Sequence, residues 1–197
     1  MMVGSLSLMT WRQREFLSGL GWSPTHRNPI QWPSILLLGP DGWIVGLTFV
    51  TCGLLVILFS AFVFRSDRGR LIRAASIMLG ATGVVLTLLA IPPVPRAAVQ
   101  WASLHDLIYP LLPLAWIASA VLLSLGIGSN ETWRTVRNVS VALLVMFLFS
   151  LLLTGVPQIA QLARNFAFGA QLAWLSLLSI AFAARASSDT PSGLSRR

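Results

Sequence analysis

Trp43 to Phe64 is a run of 22 residues with no charge and no proline. As a helix it would be about 33 Å long, enough to cross the hydrocarbon core of a bilayer. Lipid offers no partner to an unpaired backbone amide, so a segment that crosses it satisfies its hydrogen bonds internally as a helix. Four more apolar runs follow, at Leu71–Ile91, Leu107–Ile127, Val139–Val156 and Phe166–Ala184. Each suits a helix of about 20 residues. Short links between the runs make neighbours antiparallel. The expected fold is all-α: a polytopic transmembrane bundle over residues 43–185, five spanning helices running up and down.

The rest of the chain agrees with that class. Only 10% of the 197 residues are charged, against roughly a quarter in soluble domains. The net charge of +8 comes from fourteen arginines and no lysine. These arginines sit in short segments between apolar runs, which points to topology and anionic headgroups rather than to nucleic acid. The single cysteine, Cys52, lies inside the first apolar run and reads as a small packing residue. No secretory signal is visible, because Arg12, Arg14 and Glu15 interrupt the first twenty residues.

Residues 1–42 read as an external or interfacial segment. Pro24, Pro29, Pro33 and Pro40 preclude one long helix. Met1 to Phe16 suits a short amphipathic helix with Leu6, Met9 and Phe16 near one face, and Trp22, Trp32 and Trp43 suit headgroup depth. Residues 186–197 have the composition of a flexible tail. Small-xxx-small pairs at Gly42/Gly46, Ser76/Gly80, Ala115/Ser119 and Gly169/Ala173 are candidate helix contacts. Pro110 and Pro113 predict a kink or ragged first turn in the third helix.

Alternating loops divide the arginines unequally. Arg65, Arg68, Arg70, Arg73, Arg134, Arg137, Arg185, Arg196 and Arg197 share one side, nine in all, against Arg12, Arg14, Arg27, Arg96 and Arg164 on the other. The positive-inside rule puts the nine in the cytoplasm, the N-terminus outside and the C-terminus inside, in the cell's inner or plasma membrane. An outside N-terminus of 42 residues without a signal is unusual, and a missing preceding helix would account for it.

The polar candidates gather at the outer end. His105 and Asp106 head the third apolar run, and Arg96 and Arg164 fall on the same side. Gln158, Gln161, Tyr109 and Trp174 are candidate lining residues. The functional reading is a proton-linked or ligand-binding site for a headgroup or small anion, since a neighbouring carboxylate raises a histidine's pKa. The alternative is helix N-terminal chemistry, with Ser103 as cap and Asp106 at the positive helix end, beside a solvated rim of charges. Ser103 and His105 are too close in sequence to imply a nucleophile–base pair, and no serine sits on a nucleophile elbow. His26 and His105 do not suit paired haem ligation inside a bundle. There is no metal, phosphate-loop or nucleic-acid motif, and no cofactor is expected. Apart from Arg73, at the end of the second run, no charge falls inside a predicted span, which argues against ion-coupled transport.

Several segments resemble a known family. EFLSGLG at Glu15–Gly21 is similar to the "ISELG" segment of the domain of unknown function 998 (DUF998) family. GWIVGLTFVTCGLLVILFS at Gly42–Ser60 resembles that family's next helix. His105 resembles its histidine at the head of an outside-to-inside helix, and Arg164 with Trp174 resembles the arginine and tryptophan of its last helix. The resemblance covers most of residues 15–185. It implies a multi-pass membrane protein, usually of six helices, of which this chain would lack the first. The loop IPPVPRAAVQ lacks the acidic residue the family often carries after its proline. The resemblance implies architecture and no chemistry. The function expected is non-enzymatic, the binding of a lipid or a membrane-protein partner. The alternatives are an accessory subunit contacting a pigment or haem, and a transporter or intramembrane enzyme using the outer cluster.

Overall fold

The structure is a computed structural model that describes residues 2–22, 33–66, 69–93, 104–127 and 131–188. Its helices are α1 (Met2–Arg12), α2 (Arg14–Gly19), α3 (Gly42–Ser66), α4 (Arg70–Leu88), α5 (Leu104–Ile108), α6 (Leu111–Gly126), α7 (Glu131–Leu153) and α8 (Ala160–Ser188), with a 3-10 turn at Ser34–Leu38. Among the described residues there is no strand. Five stretches are long and apolar enough to cross a bilayer: Gly42–Ser66, Arg70–Leu88, Leu104–Gly126, Trp133–Leu153 and Ala160–Arg185. The protein is an all-helical, integral membrane bundle.

Helix α4 packs between α3 and α6, and α7 packs against α8 and α6. Two aromatic clusters join the groups. Midway along the bundle, Trp116 of α6 meets Trp174 of α8 edge to face at 5.6 Å and Phe147 of α7 at 4.7 Å. Nearer the arginine-rich end, Phe182 of α8 sits against Phe59 and Phe62 of α3 and Trp133 of α7. The outward faces are apolar, with Leu58, Leu125, Leu152 and Ile180 among the most exposed side chains. A soluble protein would not display such a belt; here it is the face turned to lipid.

In lipid, burial does not drive helices together, so close approach and hydrogen bonds decide the packing. The tightest crossing joins Gly53 of α3 to Gly83 of α4. A Cβ on Gly53 would stand 2.6 Å from the Gly83 carbonyl oxygen and press on the Thr87 side chain. Ser119 of α6 donates to the Ala75 carbonyl of α4 at 3.0 Å, a buried bond between helices. Most other hydroxyls, such as those of Thr48, Thr82 and Ser150, donate to a carbonyl of their own helix. Of the expected small-residue pairs, Ser119 and Gly80 do meet another helix, while a Cβ on Gly169 would meet nothing.

The third span is broken at Tyr109–Pro110, between α5 and α6. Pro113 has no N–H to give the Tyr109 carbonyl, and Leu112 donates to that carbonyl instead at 3.2 Å. The N-terminal segment also divides, at Gln13. Helix α2 then ends on Gly21, whose φ of 66° suits glycine. There Gly21 N–H donates to Ser18 and Trp22 N–H to Leu17, the paired bonds of a Schellman cap. Met2, Leu6 and Met9 of α1 bury against the half of the bundle where α3 begins, together with Leu36, Val45 and Phe49. Arg12 pairs with Asp41 at 2.6 Å, tying α1 to the start of α3.

Candidate functional site

His105 lies on α5 and is only 3% exposed. Its Nδ1 is 2.8 Å from the Ile91 carbonyl oxygen, and its Nε2 is 2.9 Å from Ser34 Oγ. A carbonyl can only accept, so Nδ1 carries the proton and donates to Ile91. In the neutral ring Nε2 is then the acceptor, and the Ser34 hydroxyl donates to it. The imidazole stacks near-parallel on Tyr109, one turn on. One side chain thus joins three segments: the 3-10 turn before α3, the residues after α4, and α5. Ser34 and His105 have the atoms of a nucleophile–base pair. However, a backbone carbonyl stands behind the imidazole where a carboxylate would polarise it, and Ser34 is itself buried.

Beneath Ser34 lies a cavity of about 80 Å³ to which four of the five spanning segments contribute. Phe49 comes from α3, Leu112 from α6 and Phe147 from α7, and Leu89, just after α4, completes that side. Helix α8 supplies Arg164, Ala167, Phe168 and Gln171, a stripe at positions i, i+3, i+4 and i+7. Among the described residues Arg164 is the one charged residue in the lining and no lining residue is a carboxylate. Its Nη1 is buried without a hydrogen-bond partner among them. Gln171, 7% exposed, lies roughly 10 Å deeper along α8, by the helix rise of about 1.5 Å per residue. Leu151 of α7 lines the cavity and is also exposed on the outer surface of the bundle.

The residues singled out from sequence are distributed around this cavity. Arg164 and Tyr109 line it. His105 stands behind it and holds Ser34, which lines it. Asp106 is half-buried. It is turned about 100° from His105 around the helix, and is not among the lining residues. Arg164 and Asp106 make no ion pair among the described residues. Gln158 is exposed in the turn before α8. Gln161 is fully buried, donating from Nε2 to Asn165 Oδ1 at 3.1 Å, while its Oε1 has no partner. Trp174 is in the core against Trp116, and neither indole N–H has a hydrogen-bond partner. A bond to a neighbouring helix is the ordinary expectation for such a group; edge-to-face ring packing takes its place. Arg96 lies outside the described residues.

Ser34 and Gln171 also line the cavity. Gln171 had a legible signal: it is a polar residue inside an apolar run, two helical turns from Arg164 on the same face. Ser34 had none, because its partner His105 is 71 residues away. Among the described residues no group of His, Cys, Asp and Glu has the make-up of a metal site.

No curated protein and no solved structure matches this chain. The family model described as "Protein of unknown function (DUF998)" matches residues 15–181. That stretch begins in α2 and ends in α8, taking in four spans and most of the fifth. The chain therefore belongs to the DUF998 family of membrane proteins.

Proposed function

We propose that the protein is a non-enzymatic membrane protein that holds part of a lipid amphiphile in the cavity beneath Ser34. The observation that carries this reading is the cavity itself, with largely apolar walls and a few convergent polar groups. Its way out to lipid is taken to be at Leu151, a lining residue exposed on the outer surface. About 80 Å³ is roughly half of a 150 Å³ cavity that admits benzene. The cavity therefore seats a head group or the end of a chain, and the remainder of the amphiphile stays in the bilayer. The arginine asymmetry supports an orientation with the cavity at the outer side of the cell membrane and the C-terminus in the cytoplasm. A reporter active only in the cytoplasm, fused after Arg197, should be active.

The reading is tested by lipid removal. Protein washed extensively in a neutral maltoside detergent should lose thermal stability, and total membrane lipid should restore it. Ala167→Phe places a ring in the cavity and should abolish the restoration while leaving helix content intact. Equal restoration in both proteins would take the cavity out of the reading. A serine-reactive phosphonate should leave Ser34 unlabelled; labelling that depends on His105 would make the pair a catalytic one.

A further inference from the structure

We infer that the amphiphile is anionic, and that Arg164 binds its head as a carboxylate or phosphate while the chain leaves past Leu151 into lipid. This rests on the cavity reading above and adds the chemistry of the head. Arginine stays charged under all ordinary conditions. Burying part of a guanidinium with no partner is costly, and buried charges in proteins are normally paired. Among the described residues Nη1 of Arg164 is buried and has no hydrogen-bond partner, and no described lining residue is a carboxylate. An anion in the cavity would supply the counter-charge.

Two features of α8 strengthen the assignment. Arg164 is the fifth residue of the helix, and helical side chains lean toward the N-terminus, so the guanidinium reaches toward the positive end of the helix dipole. An arginine there is mildly unfavourable alone and well placed beside an anion. Gln171 is the second feature. It is more than nine-tenths buried and lines the same cavity. Its amide can bind a second polar atom where the ligand has one, as a lysophospholipid does in its glycerol ester and a fatty acid does not. Phe49, Leu112 and Phe147 cover the remaining wall, which suits an acyl chain and excludes a fully hydrated ion. A fatty-acid carboxylate and a lysophospholipid phosphate monoester share the required chemistry.

Binding measured on the full chain in neutral detergent separates the alternatives. The probes are oleate, oleoyl lysophosphatidic acid, oleyl alcohol and inorganic phosphate. At least one anionic amphiphile should bind tenfold or more tighter than oleyl alcohol, and the tighter of the two identifies the head. Arg164→Gln should remove that preference and leave alcohol binding within twofold. Arg164→Lys should keep part of it, and it serves as the second variant if the glutamine form does not fold. Asp106→Asn, outside the lining, should change neither. Equal binding of alcohol and anions overturns the anionic assignment while the cavity reading stands. Inorganic phosphate binding as tightly as the amphiphiles overturns the role of the chain. Failure of all the amphiphiles to bind overturns the cavity reading itself.

Discussion

Replacing His105 tests how the mouth of the cavity is held. His105→Ala removes two hydrogen bonds and leaves the buried Ser34 hydroxyl and the part-buried Ile91 carbonyl without their partner. Each orphaned group costs about 1–3 kcal/mol, and the lost ring leaves a void as well. Hydrogen bonds between membrane helices are worth less, averaging about 0.6 kcal/mol, because the unfolded reference also finds partners. Orphaning dominates, and a loss of roughly 3–5 kcal/mol is expected. Two variants divide the effect. His105→Asn places an amide N–H near Nδ1 and keeps the Ile91 bond; His105→Gln reaches the Nε2 position and keeps the Ser34 bond. Each should lose about 1–2 kcal/mol. Thermal unfolding in neutral detergent gives the order wild type, then Asn and Gln, then Ala. The local effect is read in a Cys52→Ser background with Leu36→Cys, a fully buried position on the 3-10 turn. A thiol reagent should label that cysteine slowly when His105 is present and quickly in the alanine variant. An alanine variant as stable as wild type, with unchanged labelling, would refute the idea that this histidine pins the turn.

Three other substitutions address packing, insertion and charge. Gly53→Ala forces a Cβ against the Gly83 carbonyl and Thr87, so α3 and α4 must separate; about 1–3 kcal/mol should be lost, measured by thermal unfolding. Cys52→Arg, near the middle of α3, should cost roughly 2.5–3.5 kcal/mol of insertion, visible as reduced membrane accumulation. Arg164→Ala and Asp106→Ala should shift stability additively, within about 0.5 kcal/mol, since the two form no ion pair. A coupling above 1 kcal/mol would show that they meet in the membrane.

What the sequence reveals here follows from what is local. An uncharged run such as Trp43–Phe64 fixes a span without reference to the rest of the chain, and the break at Tyr109–Pro110 follows from two prolines. Helix ends are less legible. The fifth apolar run starts at Phe166 because Arg164 is charged, yet α8 starts at Ala160 and carries Gln161 and Arg164 on its first turns. Similarly, α7 starts at Glu131, ahead of the apolar run at Val139. Contacts between spans are harder still. A helix that is apolar all round shows no stripe to say which face meets a neighbour. Gly53 and Gly83 look like the other glycines until their helices are placed together, and Ser34 gives no hint of His105. The candidate cluster was legible only in part: Arg164 and Tyr109 share a cavity, while His105 serves it from behind and Asp106 lies off its wall.

Native mass spectrometry of the protein released from its own membrane in a neutral detergent tests occupancy of the cavity most directly. One bound amphiphile per chain is expected on the wild type and none on Ala167→Phe. A bare chain mass for the wild type, or the same adduct on both proteins, would contradict a lipid held beneath Ser34.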